Sequence, residues 1–167
     1  PIMASGDVNQ DGREDVFVGG AQGNPGRLYI QMADGSFEAS KTPEFSKAHT
    51  DADAIFFDAD GDGDQDLYVV SGGYNEYAPQ DAALQDRLYI NDGAGNFSAA
   101  IDRLPEMRVS KSCVAGADFD KDGDIDLFVG GRVIPGQYPV TPESFILINE
   151  GGKFRKASPE VTKRLSK

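Results

Sequence analysis

Three nonapeptides gather acidic side chains at a spacing that suits a hard cation. They run Asp7-Val8-Asn9-Gln10-Asp11-Gly12-Arg13-Glu14-Asp15, Asp58-Ala59-Asp60-Gly61-Asp62-Gly63-Asp64-Gln65-Asp66 and Asp118-Phe119-Asp120-Lys121-Asp122-Gly123-Asp124-Ile125-Asp126. Calcium takes 6–8 oxygen ligands at roughly 2.3–2.6 Å. Acidic side chains at alternate positions of a tight loop can converge on one ion, and the glycine at position 6 permits the turn between them. Side chains at positions 1, 3, 5 and 9 are therefore the candidate ligands: Asp7, Asn9, Asp11 and Asp15; Asp58, Asp60, Asp62 and Asp66; Asp118, Asp120, Asp122 and Asp126. Position 7 can supply a backbone carbonyl, from Arg13, Asp64 and Asp124, and a carbonyl ligand tolerates any side chain, arginine included.

Other readings of these residues fit less well. An EF-hand requires a bidentate Glu at position 12 and flanking helices. Position 12 here is Val18, Val69 and Val129, each inside an apolar run. Magnesium favours a smaller octahedral shell that keeps several waters. Zinc would want histidine or cysteine, and the chain has one of each, His49 and Cys113. Asp and Gly favour turns without any ligand, but three loops in register with every ligand position filled are hard to obtain from turn preference alone. The ligand side chains carry 11 negative charges against a net charge of -12. Carboxylates crowded together raise one another's pKa, and a divalent ion relieves that conflict. The first loop, with Asn9 for Asp, has one charge fewer and is expected to be the weakest site.

The elements around the loops repeat as well, with loop starts 51 and 60 residues apart. A short strand is expected before each loop, at Ile2–Ser5, Ala54–Phe57 and Cys113–Ala117. A compact apolar run follows each: Val16–Val18, Leu67–Val70 and Leu127–Val129. Runs with little polar alternation suggest strands buried on both faces. Then come Arg27–Ile30, Arg87–Ile90 and Phe145–Ile148, each leading through a glycine-bearing turn to Phe37, Phe97 or Phe154, which is a hairpin signal. No helical periodicity stands out, and the tail Pro159–Lys167 reads as a frayed helix or strand. The expected fold is all-β: three four-stranded antiparallel blades of a partial β-propeller, at about residues 1–40, 52–100 and 111–156 of a single repeat region spanning 1–167. A flat sandwich is the competing architecture.

Composition narrows the function. The acidic balance is opposite to that of a nucleic-acid binder, and no apolar run is long enough to span a membrane. The chain opens on Pro1 rather than Met, which suggests a piece of a longer protein. Cys113 lies in an apolar stretch and reads as a buried, inert thiol; His49, in the polar linker Ser46–Asp53, reads as exposed.

The acidic loops and their flanking strands resemble FG-GAP repeats, also called VCBS repeats, over Ile2 to about Phe154. The third unit, with Val129-Gly130-Gly131-Arg132 and Pro135-Gly136-Gln137-Tyr138-Pro139, looks most like bacterial proteins that pair such repeats with an ASPIC/UnbV domain. The resemblance implies a calcium-bearing propeller, with calcium held at positions 1, 3, 5 and 9 of each loop, and an extracellular, cell-surface or periplasmic location. It also implies a partner-binding face away from calcium.

Three blades do not close a ring of 4–8, so apolar outer faces are expected, with self-association as one way to cover them. In a meander the acidic loops and tight turns share one edge of each blade. The variable loops Gly19–Gly26, Ser71–Asp86 and Gly130–Ser144 share the other, with Tyr74, Tyr77 and Tyr138 as candidate ligand contacts. The expectation is a non-enzymatic, calcium-stabilised module for protein or carbohydrate interaction. The alternative is part of a polysaccharide-degrading enzyme, although the sequence offers neither a nucleophile motif nor paired histidines.

Overall fold

The computed structural model of this protein describes residues 2–41, 45, 47–74 and 77–162. Within them, twelve strands form three four-stranded antiparallel sheets, each a simple meander in chain order. Blade 1 comprises β1 (Met3–Gly6), β2 (Asp15–Val18), β3 (Arg27–Gln31) and β4 (Phe37–Ala39). Blade 2 comprises β5 (Thr50–Phe57), β6 (Asp66–Gly72), β7 (Arg87–Asn91) and β8 (Phe97–Ala99). Blade 3 comprises β9 (Ser110–Ala117), β10 (Asp126–Val133), β11 (Phe145–Asn149) and β12 (Phe154–Lys156). The sheets are propeller blades lying side by side: β1 packs against β5, and β5 and β6 pack against β9. A single short helix, Pro159–Thr162, follows the last strand, and residues 163–167 of the tail lie outside the described set.

The registers repeat. Val16 pairs with Tyr29, Leu67 with Tyr89 and Leu127 with Leu147. Equivalent positions can therefore be read across blades. Two cores result, one in each joint. Val8, Phe17 and Leu28 of blade 1 meet Leu67, Val69, Tyr89 and Phe97 of blade 2. Ala59, Tyr68 and Leu88 of blade 2 meet Leu127, Val129, Leu147 and Phe154 of blade 3. Phe45 caps the first joint, edge-on to both Phe17 and Tyr89. Fully burying a side chain such as Phe17 or Leu67 stabilises the fold by about 1.5–3 kcal/mol.

Two expectations change. The apolar second strand is buried on both faces only in blade 2, where all seven residues of β6 are buried. β2 alternates buried and half-buried residues, and β10 leaves Phe128 36% exposed, because each end blade has a neighbour on one face only. The first strands of blades 2 and 3 also begin earlier than the apolar pattern indicates, at Thr50 and Ser110. Near the start of β5 two acids are bonded across the fold: Asp51 accepts from Gly20 N at 2.6 Å, and Asp53 from Val114 N at 2.9 Å.

Candidate metal sites

Each acidic loop is tied down by its last carboxylate. Asp15, Asp66 and Asp126 are the first residues of β2, β6 and β10, and all three are buried. One oxygen of each accepts a backbone N–H from loop position 2: Val8 at 3.2 Å, Ala59 at 2.9 Å and Phe119 at 2.8 Å. The other accepts from the last residue of the third strand, Gln31, Asn91 or Asn149, at 2.8 Å in every blade. A single carboxylate thus joins the loop start, the second strand and the third strand. Each oxygen keeps a further lone pair for a cation.

The loop backbone is shaped to match. Position 6 is left-handed in all three loops, with φ of 82° at Gly12, 90° at Gly63 and 105° at Gly123, a conformation glycine adopts without strain. Position 4 is left-handed too, at Gln10, Gly61 and Lys121. These turns aim loop N–H groups at the acids. Asp7 accepts from Asp11 and Gly12, and Asp58 from Gly61 and Gly63. The position 5 carboxylates make short local turns, accepting from the N–H two residues on: Asp11 from Arg13, Asp62 from Asp64, Asp122 from Asp124.

Positions 1, 3 and 9 converge in loops 2 and 3. Asp58, Asp60 and Asp66 each bring an oxygen within 4.8 Å of the others, as do Asp118, Asp120 and Asp126. Asp7, Asn9 and Asp15 hold the same positions in loop 1. Asp62 and Asp122 stand outside those groups. At position 7 the side chains are engaged elsewhere: Arg13 bonds Asp11 and Gln31 O, Asp64 accepts from Gln10 of blade 1, and Asp124 from Gly151 N at 3.0 Å.

The donor set fits a hard divalent ion. Every side-chain donor at these positions is an oxygen, as calcium prefers. Burial pushes the Asp66 carboxyl up to about 6, outweighing its two backbone hydrogen bonds, and the charges of Asp60 and Asp62 add to the rise. Asp15 is raised by burial in the same way. Asp120 is raised by desolvation and then by its neighbours Asp122 and Asp126. Asp60 Oδ1 is buried without a hydrogen-bond partner. A cation would relieve both the repulsion and the unpaired oxygen.

Residues 7–69, from the first acidic loop into β6, match the family model of an FG-GAP-like repeat. Over those residues the chain is similar to that repeat. No curated protein matches its sequence.

The repeats are stitched by residues that the loop pattern does not reveal. Asn91 donates its carboxamide to Val8 O of the preceding loop at 2.8 Å, and Asn149 donates to Ala59 O at 2.8 Å. Each also accepts from its own tight turn, Gly95 N at 3.1 Å and Gly152 N at 2.8 Å. Their shared signal is an asparagine closing the same apolar run in both repeats. Arg103, on the connection between blades 2 and 3, reaches Asp60 of loop 2 at 2.9 Å.

The opposite edge of the blades is irregular. Lys111 is fully buried; its ammonium donates to Leu84 O, Met107 O and Val109 O at 2.6–2.7 Å and lies 3.2 Å from Asp86. Asp86 also accepts from Tyr68 Oη and Ser71 N, each at 2.7 Å. Arg87 pairs with Asp51 at 2.7 Å. His49 is half-buried beside Arg87 rather than exposed, and burial followed by the Arg87 charge lowers its pKa to about 4. Cys113 is exposed, not buried, because the outer surface of β9 there has no sheet over it. Tyr77 is buried and bonds Thr50 and Ala48 O, so it ties its loop to the start of β5. Tyr74 and Tyr138 are exposed and line one cleft with Arg132 and Val133.

Proposed function

We propose that this chain is a calcium-stabilised, non-enzymatic interaction module of a secreted or surface-displayed protein. The observation that supports this best is the repeated clamp. In all three loops the same buried carboxylate bonds two backbone N–H groups, and in loops 2 and 3 it lies beside the acids of positions 1 and 3. Calcium there is structural: it fixes three loops at one edge, adds to stability by mass action, and takes its remaining ligands from position 5 and the position 7 carbonyls. Extracellular calcium modules bind at roughly 10⁻⁴–10⁻³ M, which suits a location outside the cytosol. Loop 1, with Asn9, binds most weakly. Among the described residues no helix is long and apolar enough to cross a membrane.

The ligand edge in this reading is the opposite one. The exposed rings of Tyr74 and Tyr138 with Arg132 frame a cleft of about 410 Å³, suited to a carbohydrate or a peptide segment. Apolar ring faces stack on sugar or side-chain surfaces, and a guanidinium binds hydroxyl or carboxylate groups. Thermal melts with calcium, magnesium or EDTA test the metal role. Calcium should raise the melting temperature and EDTA reverse it, and an EDTA-insensitive melt would overturn structural calcium. Polysaccharide turnover by the chain would overturn the non-enzymatic reading.

A further inference from the structure

The central blade carries a hollow on the edge away from the acidic loops, where β7 begins and β8 ends. It measures about 300 Å³, at the small end of the range for ligand sites. Leu88, Ala100 and Leu104 form its apolar wall, and Ile101, 90% exposed, stands at its rim. Arg87, Arg108 and His49 line it too. These residues belong to blade 2 and its own connections, not to either end face.

Arg87 is the unusual member. Its side chain is 11% exposed, and only Nη2 is bonded, to Asp51 at 2.7 Å and Ser71 Oγ at 3.3 Å. Nε and Nη1 are buried with no hydrogen-bond partner among the described residues. Buried donors are nearly always satisfied, and a charged one left without a partner is the costlier kind. Register sets Arg27 of blade 1 at the same place, and that residue is exposed. The hollow beside Arg27 is also smaller, about 170 Å³, with Phe45 in its wall. Blade 2 draws its arginine inside and keeps a larger space beside it.

Charge around the hollow favours an anion. Asp86 is in the wall, but its oxygens are committed to Tyr68 Oη, Ser71 N and the Lys111 ammonium. His49 is neutral at pH 7, because burial and then the Arg87 charge lower its pKa to about 4. Arg108 adds a second guanidinium, and its pair with Glu106 is long, at 3.6 Å. Guanidinium groups match carboxylates in shape and charge. The apolar wall suits an alkyl group rather than a hydrated ion.

We propose that this hollow binds an organic carboxylate with a short branched alkyl tail. With Nη2 anchored on Asp51, the Arg87 guanidinium turns its unpartnered N–H groups to the carboxylate, and Arg108 closes on it from the other side. The tail lies on Leu88, Ala100 and Leu104. A free short-chain acid and the carboxyl end of a peptide closing on leucine share that chemistry. The hollow has no lining residue in common with the Tyr74–Tyr138 cleft, and its binding does not rest on calcium.

Titration calorimetry of the full chain with isocaproate, in buffer free of calcium and of other carboxylates, tests it. Binding should saturate at one site per chain, and the Arg87 Nε–H signal should shift in NMR spectra. Isocaproamide keeps the tail without the charge and should bind about tenfold more weakly. Arg87→Lys keeps a charge opposite Asp51 but loses the planar fork, and should abolish binding. Ile101→Asp alters an exposed side chain, so strand circular dichroism and melting should hold while affinity falls about fivefold. Should Arg87→Lys not fold, Ile101→Asp and the amide decide the matter. Competition between acetyl-leucine and isocaproate bears out the carboxylate, and the tighter of the two names its source. No saturation at millimolar isocaproate would overturn the proposal. So would an amide that binds as tightly as the acid, or unchanged affinity in Ile101→Asp.

Discussion

Loops 2 and 3 carry the same ligand side chains in different settings. Both have aspartate at positions 1, 3, 5, 7 and 9, and both hold the position 9 carboxylate with the same two backbone N–H groups. Loop 2 lies under blade 3. Its Ala59 carbonyl accepts from Asn149, Arg103 bonds Asp60, and Gly152 sits so close that a Cβ there would lie 2.6 Å from that of Asp60. Loop 3 has no blade beyond it among the described residues. Asp118 and Asp120 are exposed, and Phe119 shows half its surface where Ala59 shows almost none. The nonapeptide sets a loop's internal geometry; the adjacent blade sets its burial, its charge compensation and hence its chemistry.

The largest expected effect comes from removing the clamp. Asp66→Ala strands the N–H groups of Ala59 and Asn91, both in buried residues, and each orphaned donor costs about 1–3 kcal/mol. Asp126→Ala strands those of Phe119 and Asn149. Phe119 is open to water, which can satisfy its N–H, so the loss should be smaller. Urea melts in EDTA measure both, and equal losses would contradict the idea that the neighbouring blade makes the difference.

Proton dependence separates the loops next. Burial raises the Asp66 carboxyl from 3.8 to about 6. Without a cation, the stability this contributes is fully present below 3.8, where both folded and unfolded states are protonated, and is lost as pH rises through about 6. A bound cation holds the carboxylate ionised and offsets that loss. The calcium-induced rise in melting temperature should therefore grow from pH 4 to pH 7, and Asp66→Asn should flatten the growth. A rise that is the same at both ends of that range would exclude proton competition at Asp66.

The repeat architecture was legible because its signals are local. Alternating acids, a glycine at position 6 and apolar runs at fixed offsets specify loop, strand and meander without reference to neighbours. What escaped the sequence depends on adjacency. Lys111 sits between two serines like any surface lysine, yet its ammonium finds three carbonyls and Asp86 only where blade 3 meets the Ala82–Leu84 turn. Cys113 looked buried because its neighbours in sequence are apolar, but an open face on β9 puts it outside. Positions 1, 3, 5 and 9 looked equivalent as ligands; in the fold, position 9 also holds the architecture together, and position 5 stands apart from the converged oxygens.

The smallest effect expected is at Arg103. Its guanidinium competes with a cation for Asp60, and the pair is partly exposed, so it contributes only about 0–1 kcal/mol to the fold. Arg103→Ala should leave the EDTA melt almost unchanged. It should strengthen cation binding at loop 2, because one positive charge leaves the immediate surroundings of Asp60 and a second carboxylate oxygen becomes available beside the unpartnered Oδ1. Loop 3 has no such arginine bonded to its carboxylates among the described residues, so its affinity should hold steady. Calcium titration calorimetry of the variant, alone and combined with Asp126→Ala, assigns the change to one loop. Binding that weakens at loop 2 would mean that Arg103 positions Asp60 for the cation rather than competing with it. The neighbouring blade would then be a supporting part of the site.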